Sequence, residues 1–285
     1  MPVSPSMRRR RLAAELRRLR DQSSLSIADV ADNLNWQESR LSRIETRQLG
    51  ISATDLRKLL DLYGVKDRAH QNELLELARR GNERGWWQVY GSRVVPNEYA
   101  NLIVLEEEAA TIRTYEPELV PGLLQTPDYA RAVIRAFRPT DTTEEIDRRV
   151  EVRLERQEIL DRDNPPPPQI HVVLNEGVLA RRVGGAKVIR GQLEYLMQER
   201  DRANVVVQVL PQTAGEHPGM VGPFTMLTFL DPGDHGVVNV ENAMGALFLE
   251  KPEDLRTYEE IWNAVLAKAL SPADSRAFLK TYSLR

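Results

Sequence analysis

The stretch LSIADVADNLNWQESRLSRIE, residues 25–45, decides the fold of the amino-terminal part of the chain. A helix-turn-helix needs two helices that cross steeply and are joined by a very short turn. Ser26 is a favourable N-cap for the first helix, and the small side chain of Ala31 lets the second helix approach closely. Asn35 falls at the turn, where a left-handed backbone is expected and asparagine is one of the few residues that tolerate it. The stretch therefore predicts a helix-turn-helix.

The second helix of this motif has an apolar face and a polar face. Trp36, Leu41 and Ile44 anchor it, which leaves polar side chains free to reach base edges and phosphates in a major groove. We expect the DNA contacts to come from Ser26, Gln37, Glu38, Ser39, Arg40, Ser42, Arg43 and Arg47. Replacing Arg40 by alanine is expected to weaken operator binding by about 1–3 kcal/mol. The alternative is a helical bundle that binds no DNA, and the turn spacing disfavours it.

Three further apolar patterns surround the motif within residues 1–80, which we interpret as an all-α domain of five helices. The repeated positions are Leu12, Leu16 and Leu19, then Leu56, Leu59, Leu60 and Tyr63, and finally Leu74, Leu75 and Ala78. The first 80 residues hold 16 Lys and Arg against 11 Asp and Glu, and the remainder holds 23 against 31. A basic domain suits a polyanionic partner. The tract Arg8–Arg11 fits either a DNA-backbone contact or a solvated tail.

The rest of the chain predicts an α+β domain with a mixed sheet over residues 97–285, after a glycine-rich junction at 81–96. Apolar periodicity predicts helices at Leu102–Tyr115, Asp128–Phe137 and Glu144–Arg162, then around Lys187–Arg202 and twice near the end. Short β-branched runs predict strands at Ile170–Leu174, Val205–Leu210, Phe224–Phe229 and Val237–Val240. The strand–helix–strand order predicts that the first two strands are parallel, and the later two are expected to be antiparallel.

Composition and motifs argue against several classes of protein: disulfide-bonded, membrane-spanning, metal-binding and catalytic. The chain has no cysteine, which excludes disulfides and thiol catalysis, and no apolar run approaches 18 residues. With no pattern of a signal peptide either, we expect a cytoplasmic protein. The histidines of the second region, His171, His217 and His235, show no metal-ligand spacing, and no nucleotide-binding or hydrolase motif is present. We therefore expect no catalytic residue, metal or cofactor, with an enzyme as the disfavoured alternative.

Residues 12–65 resemble the Cro/C1-type (xenobiotic-response-element) helix-turn-helix family. Arg20 stands where that family places an arginine on its first helix, and Glu45 stands at the end of the recognition helix. The resemblance implies that these two side chains form an ion pair that clamps the helices. The sequence departs from the family at Ile27, where a glutamine that touches a phosphate is usual.

From Gly85 onward the chain resembles the antitoxin-like actinobacterial regulators related to WhiJ. The resemblance is carried, in this order, by GWW (85–87), VPGLLQTPDYARAVI (120–134), Arg153 with Arg156 and Gln157, NEGVL (175–179), VGG (183–185), VQVLP (207–211) and ALSPADS (269–275). It implies a regulator of development or secondary metabolism that acts with a small protein encoded nearby. The other interpretation is an antitoxin-like protein whose main role is to bind that small partner.

Several features favour regulation by the second domain. A homodimer is expected because one helix-turn-helix reads only a half-site, and the apolar stripe of the Glu144–Arg162 helix is either its seam or part of its own domain's core. An effector or partner is expected to contact Trp86, Trp87, His217 and Met220. The loop at 215–224 is interpreted as a lid, with an ordinary surface loop as the alternative. The tandem tryptophans are interpreted as a packed hinge or a ligand cage.

Overall fold

The computed structural model describes residues 7–45, 49–81, 85–199, 202–230, 236–242 and 245–284. The described residues fall into two compact units. The first comprises the chain up to Val89 together with Pro96–Leu105, and the second comprises Tyr90–Val95 and the chain from Glu106 onward. The domain boundaries expected at 80 and 97 stay predictions.

The amino-terminal region contains the five helices expected from the sequence. They are α1 (Met7–Gln22), α2 (Ile27–Leu34), α3 (Glu38–Glu45), α4 (Ala53–Leu62) and α5 (Arg68–Gly81). The predicted apolar positions form their common core: Leu12, Leu16, Leu19, Val30, Leu41, Ile44, Leu56, Leu59, Leu60 and Leu74. Because these side chains recur at helical spacing, each helix buries one face and leaves the other in solvent.

The second region is an α+β fold around one six-stranded mixed sheet. The helices that follow Val89 in the chain are α6 (Gly91–Val94), α7 (Asn97–Glu108), α8 (Pro127–Phe137), α9 (Thr143–Arg156), α10 (Glu176–Ala180), α11 (Ala186–Glu199), α12 (Pro252–Lys268) and α13 (Pro272–Ser283). Of these, α7 belongs to the first unit as far as Leu105. The strands of the sheet are β1 (Thr111–Glu116), β2 (Gln169–Asn175), β3 (Val205–Leu210), β4 (Phe224–Thr228), β5 (Val237–Asn242) and β6 (Gly245–Leu249). The expected fold class is confirmed for both regions.

The strands lie in the order β3-β2-β1-β4-β5-β6. The predicted parallel crossover pair is confirmed, since β2 and β3 pair in parallel with Ile170 opposite Val205. The antiparallel pairing of β4 with β5 is confirmed as well. The turn expected at 231–236 lies almost wholly outside the described residues.

One predicted helix is wrong in its second half. The helix expected at Leu102–Tyr115 ends at Glu108, and Thr111–Glu116 forms β1 near the middle of the sheet. Three β-branched residues in this stretch favour a strand, and β1 is hydrogen-bonded on both sides, to β2 and to β4. The strand β6 was also not predicted. The α-helix expected at Glu144–Arg162 ends at Arg156 and continues as a 3₁₀ turn to Leu160.

The two faces of the sheet differ in character. On one face, a continuous apolar cluster packs β1, β2, β4 and β5 against α12; it contains Tyr115, Val173, Phe224, Met226, Val238, Trp262 and Val265. Successive residues of a strand point to opposite faces, so Thr114 and Glu116 lie on the other side from Tyr115. That second face carries polar residues in the middle of the sheet.

Candidate nucleic-acid interface

The connection between α2 and α3 has the geometry that a helix-turn-helix needs. Asn35 adopts the left-handed conformation (φ 55°, ψ 47°), and the N–H of Trp36 donates to the carbonyl oxygen of Ala31 at 2.8 Å. Ala31 is buried, as its position between the two helices requires. At the other end of α2, Ser26 and Asp29 form a reciprocal capping box. Both predictions from the sequence, the Ser26 cap and the left-handed Asn35, are confirmed.

An ion pair fastens α1 to the end of α3. Nε of Arg20 donates to Oε1 of Glu45 at 2.7 Å, and a second guanidinium nitrogen donates to Oε2 at 3.0 Å. The remaining guanidinium nitrogen donates to the carbonyl oxygen of Leu25 at 3.0 Å. The Arg20 side chain is 11% exposed and that of Glu45 only 6%, so the pair is nearly dry. The clamp implied by the family resemblance is therefore present.

The face of α3 turned away from the core presents polar side chains to solvent. Gln37, Glu38, Ser39 and Arg43 are exposed, and Ser42 is half-buried. Ser39, Ser42 and Arg43 lie on the side of α3 away from the buried Leu41 and Ile44, as the periodicity predicted, whereas Glu38 begins the helix and Gln37 precedes it. The hydroxyl of Ser26 is exposed and engaged by Asp29. Arg47 lies outside the described residues, and so do the side chains of Arg8–Arg11.

Arg40 is held by two neighbours within its own domain. A guanidinium nitrogen of Arg40 donates to Oδ2 of Asp55 at 2.6 Å, and its Cζ lies 4.2 Å from the ring centroid of Trp36. Burial would raise the pKa of Asp55, but hydrogen bonds from Ser52 and Arg40 outweigh it and hold that pKa below its usual value. The Arg40 side chain is still 38% exposed. Sequence reasoning missed Asp55, which belongs to α4 and carries no local signal of this contact.

Two family models match the chain, one in each region. The model described as a helix-turn-helix domain matches residues 11–74. The model described as a domain of unknown function, DUF5753, matches residues 99–281, well over half of the chain. The chain belongs to the DUF5753 family. A search of curated proteins and a search of solved structures found no match. The amino-terminal region is thus a helix-turn-helix domain, a type of fold that binds DNA.

The tandem tryptophans precede the DUF5753 region. Trp86 and Trp87 are half-buried in a 3₁₀ helix, with ring centroids 5.8 Å apart and planes at 83°. The Trp87 ring folds back against Gly85 so closely that any side chain at position 85 would overlap it. The edge-to-face packing is a common arrangement of aromatic pairs, and the hinge and the ligand cage both stay predictions.

Within the DUF5753 region, the loop at 215–224 is tied to the domain rather than free to close. Gly219 is buried so tightly that a methyl group there would lie 2.8 Å from Cγ2 of Val265. Nζ of Lys268 donates to the carbonyl oxygens of Ala214 and Glu216, at 3.1 and 2.5 Å. His217 is half-buried beside Tyr115, and burial, aided by Lys268, lowers its pKa.

The tip of this loop points outward. Met220 is 70% exposed and Val221 is 77% exposed, so neither side chain covers a cavity. His217 and Met220, predicted together as effector contacts, therefore lie on one loop but face different surroundings. Among the described residues, no three histidine, cysteine or acidic side chains stand close enough to hold a metal ion. No helix in the described parts of the chain is long and apolar enough to cross a bilayer.

Proposed function

We propose that this protein is a sequence-specific transcriptional regulator that binds operator DNA through α3, and that its DUF5753 domain adjusts this binding in response to a small partner protein or ligand. The proposal assigns no reaction to the chain. The single observation that carries it is the α2–α3 pair, with its left-handed Asn35 and its exposed polar face. The resemblance to the WhiJ-related regulators supports the same role.

The first test measures DNA binding directly. Fluorescence anisotropy with a labelled fragment from upstream of the protein's own gene should give a saturable, sequence-dependent signal. Arg43→Ala removes an exposed cation from α3 and should weaken binding by about 1–3 kcal/mol. Arg79→Ala is the matched control, since Arg79 is exposed on α5 and pairs there with Glu76. Equal binding by wild type and Arg43→Ala would remove α3 from the interface.

Arg40 needs a separate comparison because it has a structural partner. If Arg40 reads a base, Arg40→Ala should relax sequence preference, whereas Asp55→Asn should leave that preference intact by freeing the guanidinium. If Arg40 only fastens α3 to α4, both variants should lower stability alike and leave the preference unchanged. Competition with operators that carry single base changes separates these two outcomes.

We further propose that the protein binds DNA as a homodimer, because a pair of helix-turn-helix motifs recognises a palindrome with higher affinity than one motif. The apolar stripe of α9 does not supply the seam: Ile146 and Val150 are buried, and they pack with Leu154 against Ile134 of α8. Light scattering at micromolar concentration, with and without operator, measures the stoichiometry. A protein that stays monomeric in both conditions contradicts the dimer.

A second candidate function, binding of a small partner protein, is favoured by the loop tip. Met220 and Val221 form an exposed apolar pair on a loop that Lys268 and Gly219 hold in place. A preformed apolar projection of this kind suits a protein partner, since little ordering entropy is lost when it binds. Adding the small protein encoded nearby should raise the melting temperature of wild type and change its operator affinity.

The matched variants place the same charge at two exposed apolar sites. Met220→Asp should abolish the effect of the small protein, whereas Leu230→Asp should retain it, because Leu230 is 78% exposed at another place in the same unit. Equal responses from both variants would remove the loop from the partner surface. A rise in stability without a change in operator affinity would show binding that is not coupled to DNA.

A further inference from the structure

A row of polar side chains crosses the centre of the sheet on the face opposite α12. Thr114, Thr225 and Asn239 lie side by side on β1, β4 and β5, in direct register. The hydroxyl oxygens of Thr114 and Thr225 are 3.0 Å apart, which shows that these side chains share one face. Thr114 and Asn239 are each only 3% exposed. A helix-covered sheet normally fills these positions with apolar residues, so the row is unusual.

Carboxyl groups surround one end of this row. Two residues further along their strands, on the same face, lie Glu116 of β1 and Glu241 of β5. Glu116 is half-buried and Glu241 is exposed, so the cluster opens to solvent at that end. The helices contribute Glu106, which is 2% exposed and accepts two hydrogen bonds from Arg156, at 2.5 and 2.8 Å. We call Thr114, Glu116, Thr225, Asn239 and Glu241, with the Glu106–Arg156 pair beside them, the polar recess.

One buried acceptor in the polar recess has no partner. Nδ2 of Asn239 donates to Oε1 of Glu241 at 3.2 Å, while its Oδ1 accepts no hydrogen bond from any described residue. The amide orientation follows from the carboxylate, because the reversed amide would point an oxygen at Glu241. A buried carbonyl without a donor is costly and therefore rare in folded proteins. This oxygen is itself out of contact with solvent, so a donor from outside would reach it by entering past the exposed carboxylate of Glu241.

We propose that the polar recess binds a small organic cation, an amine or a guanidine, whose N–H groups donate to Oδ1 of Asn239 and to the carboxylate of Glu241. Arg156 is already occupied by Glu106, so it does not neutralise Glu241. A cation from outside would balance the charge of Glu241 and, once it ionises, that of Glu116. A metal ion fits less well, because among the described residues no three histidine, cysteine or acidic side chains stand close enough to hold one.

The protonation of Glu116 gives this binding a measurable signature. Burial, and then the charge of Glu241 on β5, raise the pKa of Glu116 to about 8, although Thr114 and Arg156 of α9 act in the opposite direction. Burial also raises the pKa of Glu106 on α7. Near pH 7 the Glu116 carboxyl therefore holds its proton. A cation placed between Glu116 and Glu241 favours ionisation of Glu116, so binding releases a proton.

The binding site itself does not depend on DNA recognition, but its role as an effector site rests on the proposed function. The test is calorimetric titration of the full chain, without DNA, with putrescine, agmatine and spermidine, and with butane-1,4-diol as the neutral match to putrescine. We expect at least one cation to bind with a Kd in the millimolar range or below, and the diol to give no signal. Titration in two buffers of different ionisation enthalpy should show the proton release.

Three variants locate the binding. Glu241→Gln keeps the shape and removes the charge, so it should weaken binding by about tenfold or more. Asn239→Leu should melt at a higher temperature than wild type, because it removes the orphan carbonyl, yet lose the heat of binding. Glu253→Gln, an exposed carboxylate in the first turn of α12, should bind as wild type does.

Two results would overturn the proposal. One is the absence of binding by all three cations at about 10 mM, well above the affinity expected of a built site. The other is unchanged affinity in Glu241→Gln, which would place any binding elsewhere on the acidic surface. Because no DNA is present, neither result bears on operator binding. A failed operator assay would likewise leave the calorimetry unaffected.

Discussion

Each region of the molecule contains a bidentate arginine–glutamate pair that is almost buried. In the helix-turn-helix domain Arg20 holds Glu45, and in the DUF5753 region Arg156 holds Glu106. The third guanidinium nitrogen of Arg20 donates to the carbonyl oxygen of Leu25, so all three nitrogens stabilise the contact between helices. The second pair lies beside two more carboxyls and the orphan amide of Asn239.

The difference shows how the surroundings of an ion pair decide what it can do. A buried pair with satisfied neighbours contributes mainly to specifying one arrangement of helices. A pair with surplus acceptors nearby leaves charge and hydrogen-bonding capacity that the fold does not use. We therefore assign the first pair to structure and the second to the rim of a binding site.

The largest effect is expected from Glu106→Ala. The variant leaves the Arg156 guanidinium buried without its counter-charge, which should destabilise the DUF5753 region by about 3–5 kcal/mol. The double variant Glu106→Leu with Arg156→Met should recover most of this loss, because an apolar pair needs no compensation. Thermal unfolding followed by circular dichroism measures both. A loss below about 1 kcal/mol in the single variant would mean that the Arg156 guanidinium reaches water.

A smaller loss is expected when the clamp between α1 and α3 is opened. Glu45→Ala should cost about 2–3 kcal/mol and should speed hydrogen exchange in α3, because two charged hydrogen bonds are lost at a partly buried site. Arg20→Lys should not rescue the joint, since an ammonium cannot form the same fork. Mass-resolved hydrogen exchange locates the change. Faster exchange in β1–β4 instead of α3 would contradict the assignment.

The third prediction concerns pH. The raised pKa of Glu116 means that its contribution to stability is full below its unfolded value near 4.5 and is lost as the pH rises through about 8. Glu116→Gln mimics the protonated acid at every pH. Relative to wild type, it should therefore gain on the order of 2 kcal/mol between pH 5 and about pH 6.5. The measurement is the melting temperature of both proteins at several pH values. If the two melting temperatures change with pH in the same way, Glu116 is solvated.

The smallest effects should come from removing orphan polar atoms. The hydroxyl of Tyr63 is buried and makes no hydrogen bond among the described residues, and burial raises its pKa. Tyr63→Phe should therefore be neutral or stabilising by up to about 1 kcal/mol. A loss of more than about 1 kcal/mol in Tyr63→Phe would reveal a partner for the hydroxyl. Chemical denaturation resolves differences of this size.

The helix-turn-helix was predictable because its signals are local. A capping serine, a small residue at a helix crossing and an asparagine at a tight turn each act within a few positions, and Ser26, Ala31 and Asn35 all behave as expected. The face of α3 that presents Arg43 to solvent follows from the same helical period. The DNA contacts themselves stay predictions.

The centre of the sheet was not predictable in the same way. The glutamates and alanines at 106–110 favour a helix and give no stop signal before Ile112, and only pairing with β2 and β4 makes the next segment a strand. A helix at this place would separate Thr114 from Thr225 and Asn239, so the row of polar side chains depends on β1 being a strand. The Arg40–Asp55 contact was not predicted for a similar reason. It joins α3 to α4, and no local sequence pattern indicates how these two helices pack.

The way Lys268 holds the loop at 215–224 has an evolutionary consequence. Its ammonium group binds main-chain oxygens, so the anchor is indifferent to which side chains the loop carries. Gly219 is fixed by its surroundings, where any larger residue would collide with Val265 and Tyr115. Gly215 and Gly222 are fixed by their positive φ angles of 72° and 135°. Positions 220 and 221 are then free to diversify from one relative to another while the loop keeps its place. A lineage could exchange one partner for another there without rebuilding the domain beneath.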